Sequence, residues 1–216
     1  SDLHSVGGLF VLDCIASGCI WVDMAATGVD VLISAPQKGW SASPSAGLVM
    51  MNATAKARMD ASESSSFTVN LKTWAGIMDA YTNGGHAYHA TMPTDALKAF
   101  RDTINETSAY GFEKLKAAQQ ELGDKVRAML AGRGIKSVAG AGFEAPGVVV
   151  SYTTDAGLQN GSKFAAQGVQ IAAGVPLRCD EPADYSTFRL GLFGLDKLYD
   201  VDATVARLEA VLDQVA

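Results

Sequence analysis

The sequence predicts an α/β fold, in which a partial mixed or parallel sheet is followed by a small α+β unit. Three short apolar runs near the start of the chain are bounded by small or turn-forming residues, as the buried strands of such sheets are. After Pro93 the apolar residues recur at helical spacing, and strand-like and helix-like runs then alternate. We place the boundary near residue 108, which gives residues 1–108 and 109–216 as two units.

The first unit contains three predicted strands and two predicted helices. The strands span residues 9–12, 29–34 and 48–51, and each is expected to be buried on both faces. Residues 19–22 fit a further short strand and residues 24–28 a turn. The helices span residues 53–62 and 72–82, and the glycines at 84 and 85 suit a left-handed end to the second helix.

The second unit is predicted to begin with helices. Thr94 is a candidate N-cap for the helix that carries Leu97, Phe100 and Ile104. A longer helix follows over residues 109–133 and ends at Gly132 and Gly134. The remaining elements are predicted from short runs: strands at 147–152, 170–172 and 187–192, and helices at 161–166 and 201–215.

Composition is that of an ordinary soluble globular protein and disfavours two classes of partner. Of the 216 residues, 48% are hydrophobic and 19% charged. The net charge is −6, from 17 basic and 23 acidic residues without a Lys/Arg cluster, so we expect neither nucleic acid nor a membrane as partner. No apolar run is as long as a membrane span, no signal peptide opens the chain, and the three cysteines lack paired spacing. We therefore expect a cytoplasmic protein with reduced, buried thiols.

Two polar residues that follow predicted strands suggest the chemistry. Asp13 comes after the first apolar run, where we expect it to be buried, and Lys38 comes after the second. This order suits an enzyme that uses pyridoxal phosphate (PLP), because a lysine holds that cofactor as an imine and an acid keeps its ring nitrogen protonated. Each residue also has an ordinary interpretation: Lys38 as a solvated strand-end residue, and Asp13 as a helix N-cap.

Four segments together resemble one enzyme family. They are D-C-I-A-S at Asp13, S-A-P-Q-K ending at Lys38, Y-H-A-T from Tyr88 to Thr91, and F-R-L-G-L-F-G around Arg189. They look like the catalytic region of the class V PLP-dependent aminotransferases, in the alanine–glyoxylate, serine–glyoxylate and serine–pyruvate branch. The resemblance covers nearly the whole chain and implies a fold-type I PLP-transferase. Since this family has a long segment before its aspartate, it also implies a C-terminal part of such an enzyme, inactive by itself.

The resemblance implies a role for each residue around the cofactor. Lys38 would form the imine and move the substrate proton, Asp13 would bind the pyridine nitrogen, and Ile15 would pack on the ring. Gln37 is typical of the glyoxylate-linked branch, whereas cysteine desulfurases typically carry histidine before the lysine.

The resemblance also implies contacts to the phosphate and the substrate. Tyr88 and Thr91 would reach the cofactor phosphate of the neighbouring subunit in a homodimer. Arg189 would bind the carboxylate of a small amino acid or 2-oxo acid, and Arg178 is a weaker candidate. The ordinary alternatives are an exposed loop for Tyr88 and Thr91 and an edge-strand arginine facing water for Arg189. His86 and His89 lack a third ligand, so we expect no metal site.

Three functions stay open at the level of the sequence. The first is transamination from alanine or serine to glyoxylate or pyruvate. The second is a class V lyase or desulfurase, for which Cys179 is the candidate catalytic thiol. The third is a non-catalytic folded or dimerising fragment.

Overall fold

The computed structural model describes residues 2–215 and contains two small sheets. The first sheet is made of β1 (Val11–Asp13), β2 (Val31–Ser34) and β3 (Leu48–Met51), in the order β1-β2-β3. β1 and β2 are parallel, with Asp13 opposite Ile33, and β2 and β3 are antiparallel. The predicted α/β class and mixed sheet are confirmed.

Burial of the first sheet differs from the prediction. Val11 is 52% exposed and Met50 is 38% exposed, so β1 and β3 are not buried on both faces. Both strands are at the edges of the sheet, whereas central β2 alternates between half-buried and buried residues. An apolar run predicts a strand, but its burial depends on which elements cover it.

Four helices accompany the first sheet. They are α1 (Asp2–Ser5), α2 (Met24–Thr27), α3 (Ala53–Asp60) and α4 (Leu71–Thr82). The prediction of a strand at residues 19–22 is wrong, and the predicted turn at 24–28 contains α2, which Asp23 caps at its start and Gly28 ends at φ 72°. The two longer helices agree with the prediction within two residues at each end.

A buried carboxylate connects the elements around the first sheet. Asp30 accepts a hydrogen bond from the Phe10 backbone N–H at 2.7 Å, and its Oδ2 lies 2.7 Å from His4 Nε2. The side-chain amide of Asn52, which also caps α3, donates to Asp30 Oδ1 at 2.8 Å. The bonds from Phe10, His4 and Asn52, in that order, lower the pKa of Asp30 to about 2.

The helical connection consists of two successive helices, as the sequence predicts. α5 (Thr94–Tyr110) and α6 (Phe112–Gly132) are separated by Gly111, whose φ of 108° excludes a continuous helix. The prediction of a longer helix over residues 109–133 is confirmed to within three residues at each end, since α6 begins at Phe112 and ends at Gly132. Thr94 is the first residue of α5 rather than its N-cap, because Pro93 occupies that position without a side-chain cap. The domain boundary near residue 108 stays a prediction.

The second sheet lies in the C-terminal part of the chain. It contains β4 (Val148–Tyr152), β5 (Ala172–Ala173) and β6 (Thr187–Gly191), all antiparallel, in the order β4-β6-β5. The helices are α7 (Ala156–Gln159), α8 (Ser162–Ala166), α9 (Leu195–Leu198) and α10 (Val201–Val215). The prediction of α10 is confirmed to the residue, β4 and β6 to within one residue, and α7 was not predicted.

The larger hydrophobic core lies between α6, α10 and the second sheet. Its completely buried side chains come from helices and strands alike: Leu115, Leu122, Val126, Phe164, Phe188 and Leu212. Gly123 allows α6 to approach the loop before β4, since a Cβ there would lie 2.8 Å from backbone atoms of Pro146. A smaller cluster of Cys14, Val29 and Leu32 lies beside the first sheet.

Candidate active site

The lysine turn follows the carboxyl end of β2. Residues 36–40 form turns, closed by hydrogen bonds from Ser41 N–H to Lys38 O and from Ala42 N–H to Pro36 O, each 3.0 Å. Lys38 is half-buried and Gln37 is exposed. The Lys38 Nζ lies 5.5 Å from the centroid of the Phe193 ring, and it forms no salt bridge within residues 2–215. The structure therefore holds this amine against an aromatic surface at a strand end, where open α/β sheets bind ligands.

Direct backbone contact fixes the far side of this turn. Gly39 is buried, and a Cβ built on it would lie 2.1 Å from the carbonyl oxygen of Gly18. The Cys19 thiol donates to the Gly39 carbonyl at 3.6 Å. Only a glycine at residue 39 permits this approach between the two loops.

Asp13 and the lysine turn both lie at the carboxyl ends of the strands of the first sheet. Asp13 is the last residue of β1, and β1 runs parallel to β2, so both strand ends face one side. The Asp13 carboxylate is exposed rather than buried as predicted, because β1 is an edge strand. Its Oδ1 accepts the Ile15 backbone N–H at 2.9 Å. This bond caps a turn instead of a helix, so the N-cap alternative is wrong, and Ile15 is half-buried beside it.

Tyr88 and Thr91 lie together on an exposed loop. The Tyr88 hydroxyl and Thr91 Oγ1 are 3.1 Å apart, and the tyrosine is 77% exposed. Within the described residues, neither hydroxyl is hydrogen-bonded to Lys38 or Asp13. The Nε2 of His89 is 2.8 Å from the Phe67 carbonyl oxygen, and its ring packs against Phe67. Residues 2–215 contain no group of three potential metal ligands among His, Cys, Asp and Glu.

Arg189 lies on β6, the central strand of the second sheet. The alternative of an edge-strand arginine is therefore wrong. Its Nε–H donates to the Ala173 carbonyl at 2.9 Å, which orients the guanidinium. Both Nη groups lack a hydrogen-bond partner in the described part of the chain, so they can bind a carboxylate through two parallel bonds. Strand β6 ends at Gly191, two residues before Phe193, whose ring lies beside Lys38.

The loop between β5 and β6 contains the other two candidates. Arg178 has a left-handed backbone, with φ 61°, and Cys179 is exposed. The Cys179 N–H donates to Glu181 Oε2 at 3.0 Å. The other two thiols are buried, and burial raises the pKa of Cys19 to about 11. The expectation of three buried thiols is thus wrong for Cys179.

Two residues near Lys38 were missed by the sequence analysis. Phe193 supplies the aromatic surface, and nothing in its apolar segment marked it as a partner of the lysine. Gln119 is completely buried in α6 and contacts three separate loops. It did have a signal, because it is polar at a position between Leu115 and Leu122 on the apolar face of the helix.

No family model matches this sequence, and no curated protein does. Solved structures do match its fold. Alanine–glyoxylate aminotransferase from Nostoc sp. has a TM-score of 0.79 and 18% identity, over 97% of this chain and 55% of that one. Aspartate aminotransferase from Thermus thermophilus has a TM-score of 0.75 and 22% identity, over 97% of this chain and 56% of that one. Ureidoglycine–glyoxylate aminotransferase from Bacillus subtilis has a TM-score of 0.73 and 21% identity, over 98% of this chain and 54% of that one.

These identities establish a shared fold. The predicted resemblance to class V PLP-dependent aminotransferases is confirmed at that level, and the chain has the PLP-transferase fold. It spans about half the length of the solved structures that it matches. No helix among residues 2–215 combines the length and apolar character needed to cross a bilayer.

Proposed function

We propose that this chain contributes the lysine, ring-binding carboxylate and substrate-binding arginine of a PLP-dependent aminotransferase. The amino donor would be a small amino acid such as alanine or serine, and the acceptor glyoxylate or pyruvate. The observation that carries the proposal is the arrangement at one sheet edge. A half-buried amine lies on the turn after β2, and the adjacent parallel strand β1 ends in an exposed carboxylate, in a chain with the PLP-transferase fold.

The residues at this edge fit PLP by their chemistry. The Lys38 amine has no ion-pair partner within residues 2–215, so it is available for condensation with an aldehyde. The exposed carboxylate of Asp13 can accept a hydrogen bond from a pyridinium N–H. The paired hydroxyls of Tyr88 and Thr91 are neutral donors suited to a phosphate. When bound, PLP supplies the electron sink that stabilises a carbanion at the substrate Cα.

The side chains of this chain would then have separate tasks. The Lys38 amine would take the proton from the Cα of the amino donor and, after the nitrogen has been transferred, give a proton to the Cα of the product amino acid. Asp13 keeps the proton on the ring nitrogen. Arg189 binds the substrate carboxylate with its two Nη groups, because its Nε–H is already donated to Ala173. For alanine and glyoxylate, the products are pyruvate and glycine.

The direct test is covalent trapping on the full chain. The protein is incubated with PLP and reduced with borohydride, and the adduct is located by peptide mapping. We expect one predominant adduct at Lys38 that disappears in Lys38→Arg. The matched control is Lys114→Arg, since Lys114 Nζ also lies over an aromatic ring, 3.9 Å from the centroid of Tyr110, but on a helix. An adduct spread evenly over surface lysines, or unchanged in Lys38→Arg, would refute the proposal.

A second candidate, a PLP-dependent desulfurase, is favoured by one observation. Cys179 is exposed on the loop that precedes β6, the strand that carries Arg189. Gln37 disfavours this reaction, because cysteine desulfurases typically carry histidine immediately before the lysine. Glutamine at that position is typical of the glyoxylate-linked aminotransferases. Release of sulfide from cysteine, lost in Cys179→Ser and without formation of glycine from alanine and glyoxylate, would support the desulfurase over the aminotransferase.

A further inference from the structure

A single buried amide joins the segments on both sides of Lys38. Gln119 has no exposed surface and uses both ends of its side chain. Its Oε1 accepts the Cys19 backbone N–H at 3.4 Å, and its Nε2 donates to the carbonyls of Pro146 and Leu192, each at 3.2 Å. Only this orientation of the amide satisfies all three partners. If the amide were reversed, its NH2 group would face the Cys19 N–H and its oxygen would face the two carbonyl oxygens.

The oxygen end of the amide acts on the turn that carries the lysine. Cys19 follows Gly18, whose carbonyl is in contact with Gly39, the residue after Lys38. Gly18 has φ 66°, and a Cβ there would lie 2.5 Å from Gln119 Oε1. The Gln119 amide therefore lies directly behind the loop on which the lysine turn rests.

The nitrogen end of the amide acts on the ring against which the lysine lies. The two carbonyls that accept from Gln119 belong to Leu192, which precedes Phe193, and to Pro146, which precedes Gly147. Phe193 and Gly147 pack against each other. A Cβ on Gly147 would lie 2.8 Å from Phe193 Cε1, and the Leu192 N–H donates to the Gly147 carbonyl at 2.9 Å. These contacts set the position of the Phe193 ring, which lies 5.5 Å from the amine.

We infer that Gln119 is a positioning residue for Lys38. It sets the distance between the lysine turn, which belongs to the first sheet, and the end of β6, which belongs to the second. Its relevance to catalysis rests on the proposed function, because it matters there only if Lys38 is the reacting amine. The competing interpretation is a core glutamine that contributes stability and nothing else.

The test measures the surroundings of the Lys38 amine in the full chain without cofactor. Lysines are reductively methylated with ¹³C, and the Lys38 resonance is assigned by its loss in Lys38→Arg. Because the amine lies over the Phe193 ring, we expect this resonance to be shifted upfield and Phe193→Leu to remove the shift. We expect Gln119→Leu, or the more flexible Gln119→Met, to remove most of it as well.

A matched control separates positioning from stability. Thr107 is also completely buried, and its hydroxyl donates to the Thr103 carbonyl within α5. Thr107→Val removes a buried hydrogen bond within α5 that involves neither the lysine turn nor Phe193, and it should leave the Lys38 resonance unchanged. An unshifted resonance in folded Gln119→Leu or Gln119→Met would overturn the inference. Loss of folding in both variants would assign Gln119 to stability alone and overturn it too.

Trapping with PLP and borohydride then distinguishes this inference from the proposed function. We expect the Lys38 adduct to form about tenfold more slowly in Gln119→Leu, because misplacement of a reacting group by about 1 Å has effects of this size or larger. Thr107→Val should react at the wild-type rate. If the wild type shows no preference for Lys38 while Gln119→Leu still moves its resonance, the proposed function fails and the positioning role stands.

Discussion

Replacing Gly39 with alanine tests whether backbone contact fixes the lysine turn. The new Cβ would lie 2.1 Å from the Gly18 carbonyl oxygen and 2.5 Å from its carbon. A carbon atom normally approaches a carbonyl oxygen to about 3.3 Å, so the two loops must separate by about 1.2 Å. Both contacts are with backbone atoms, so no flexible side chain can move aside, and the loops themselves must shift.

The size of the effect follows from this overlap. Forcing an extra methyl group into a packed site costs about 1–3 kcal/mol. For a chain of this length, each kcal/mol lowers the melting temperature by about 2–4 °C, so we expect a decrease of roughly 2–12 °C. Because Lys38 adjoins the displaced residue, its trapping by PLP and borohydride should slow as well.

Gly47→Ala is the control for this experiment. Gly47 lies in the same connection between β2 and β3, and a Cβ there would meet no atom within 4 Å. Its melting temperature, measured by circular dichroism, should correspond to a change within about 0.5 kcal/mol of wild type. If Gly39→Ala has the same melting temperature as the wild type and Gly47→Ala, the loops that carry Gly39 and Gly18 are not in contact and the reasoning is wrong.

Three further predictions concern stability and assembly. Since the folded pKa of Asp30 is about 2 and its usual value 3.8, its carboxylate stabilises the fold fully above pH 3.8, and this contribution is lost as the pH falls towards 2. Asp30→Asn should flatten the pH dependence of the urea midpoint in that window, and an unchanged slope would contradict the argument. Gly76→Ala, in α4 with no atom within 4 Å of the new Cβ, should stabilise the fold by about 0.5–1 kcal/mol in thermal denaturation, and a lower melting temperature would contradict this. We also expect a homodimer by sedimentation equilibrium, weakened by Tyr81→Glu, because Phe67, Met78 and Tyr81 are all at least 60% exposed; a monomeric wild type would contradict this.

The elements that the sequence predicted well are those whose signal is local. α10 has apolar spacing that begins and ends with the helix, and Leu48–Met51 is an apolar run between turn residues. Lys38 could be placed at a strand end for the same reason, since the end of β2 is marked by the turn sequence after it.

The features that were missed depend on contacts between distant segments. The exposure of Asp13 is set by the position of β1 at the sheet edge, which the run of apolar residues does not encode. The contacts of Gln119 join residues up to 100 positions apart, although its polarity on an apolar helix face was visible in the sequence.

The three thiols differ in exposure, so one of them can be labelled selectively. Cys14 and Cys19 are shielded from alkylating reagents, whereas Cys179 is open to them. A maleimide fluorophore would thus attach to the segment between β5 and β6 without any prior mutagenesis. That segment leads directly into the strand of Arg189, so the label would lie ten residues before the proposed substrate-binding arginine.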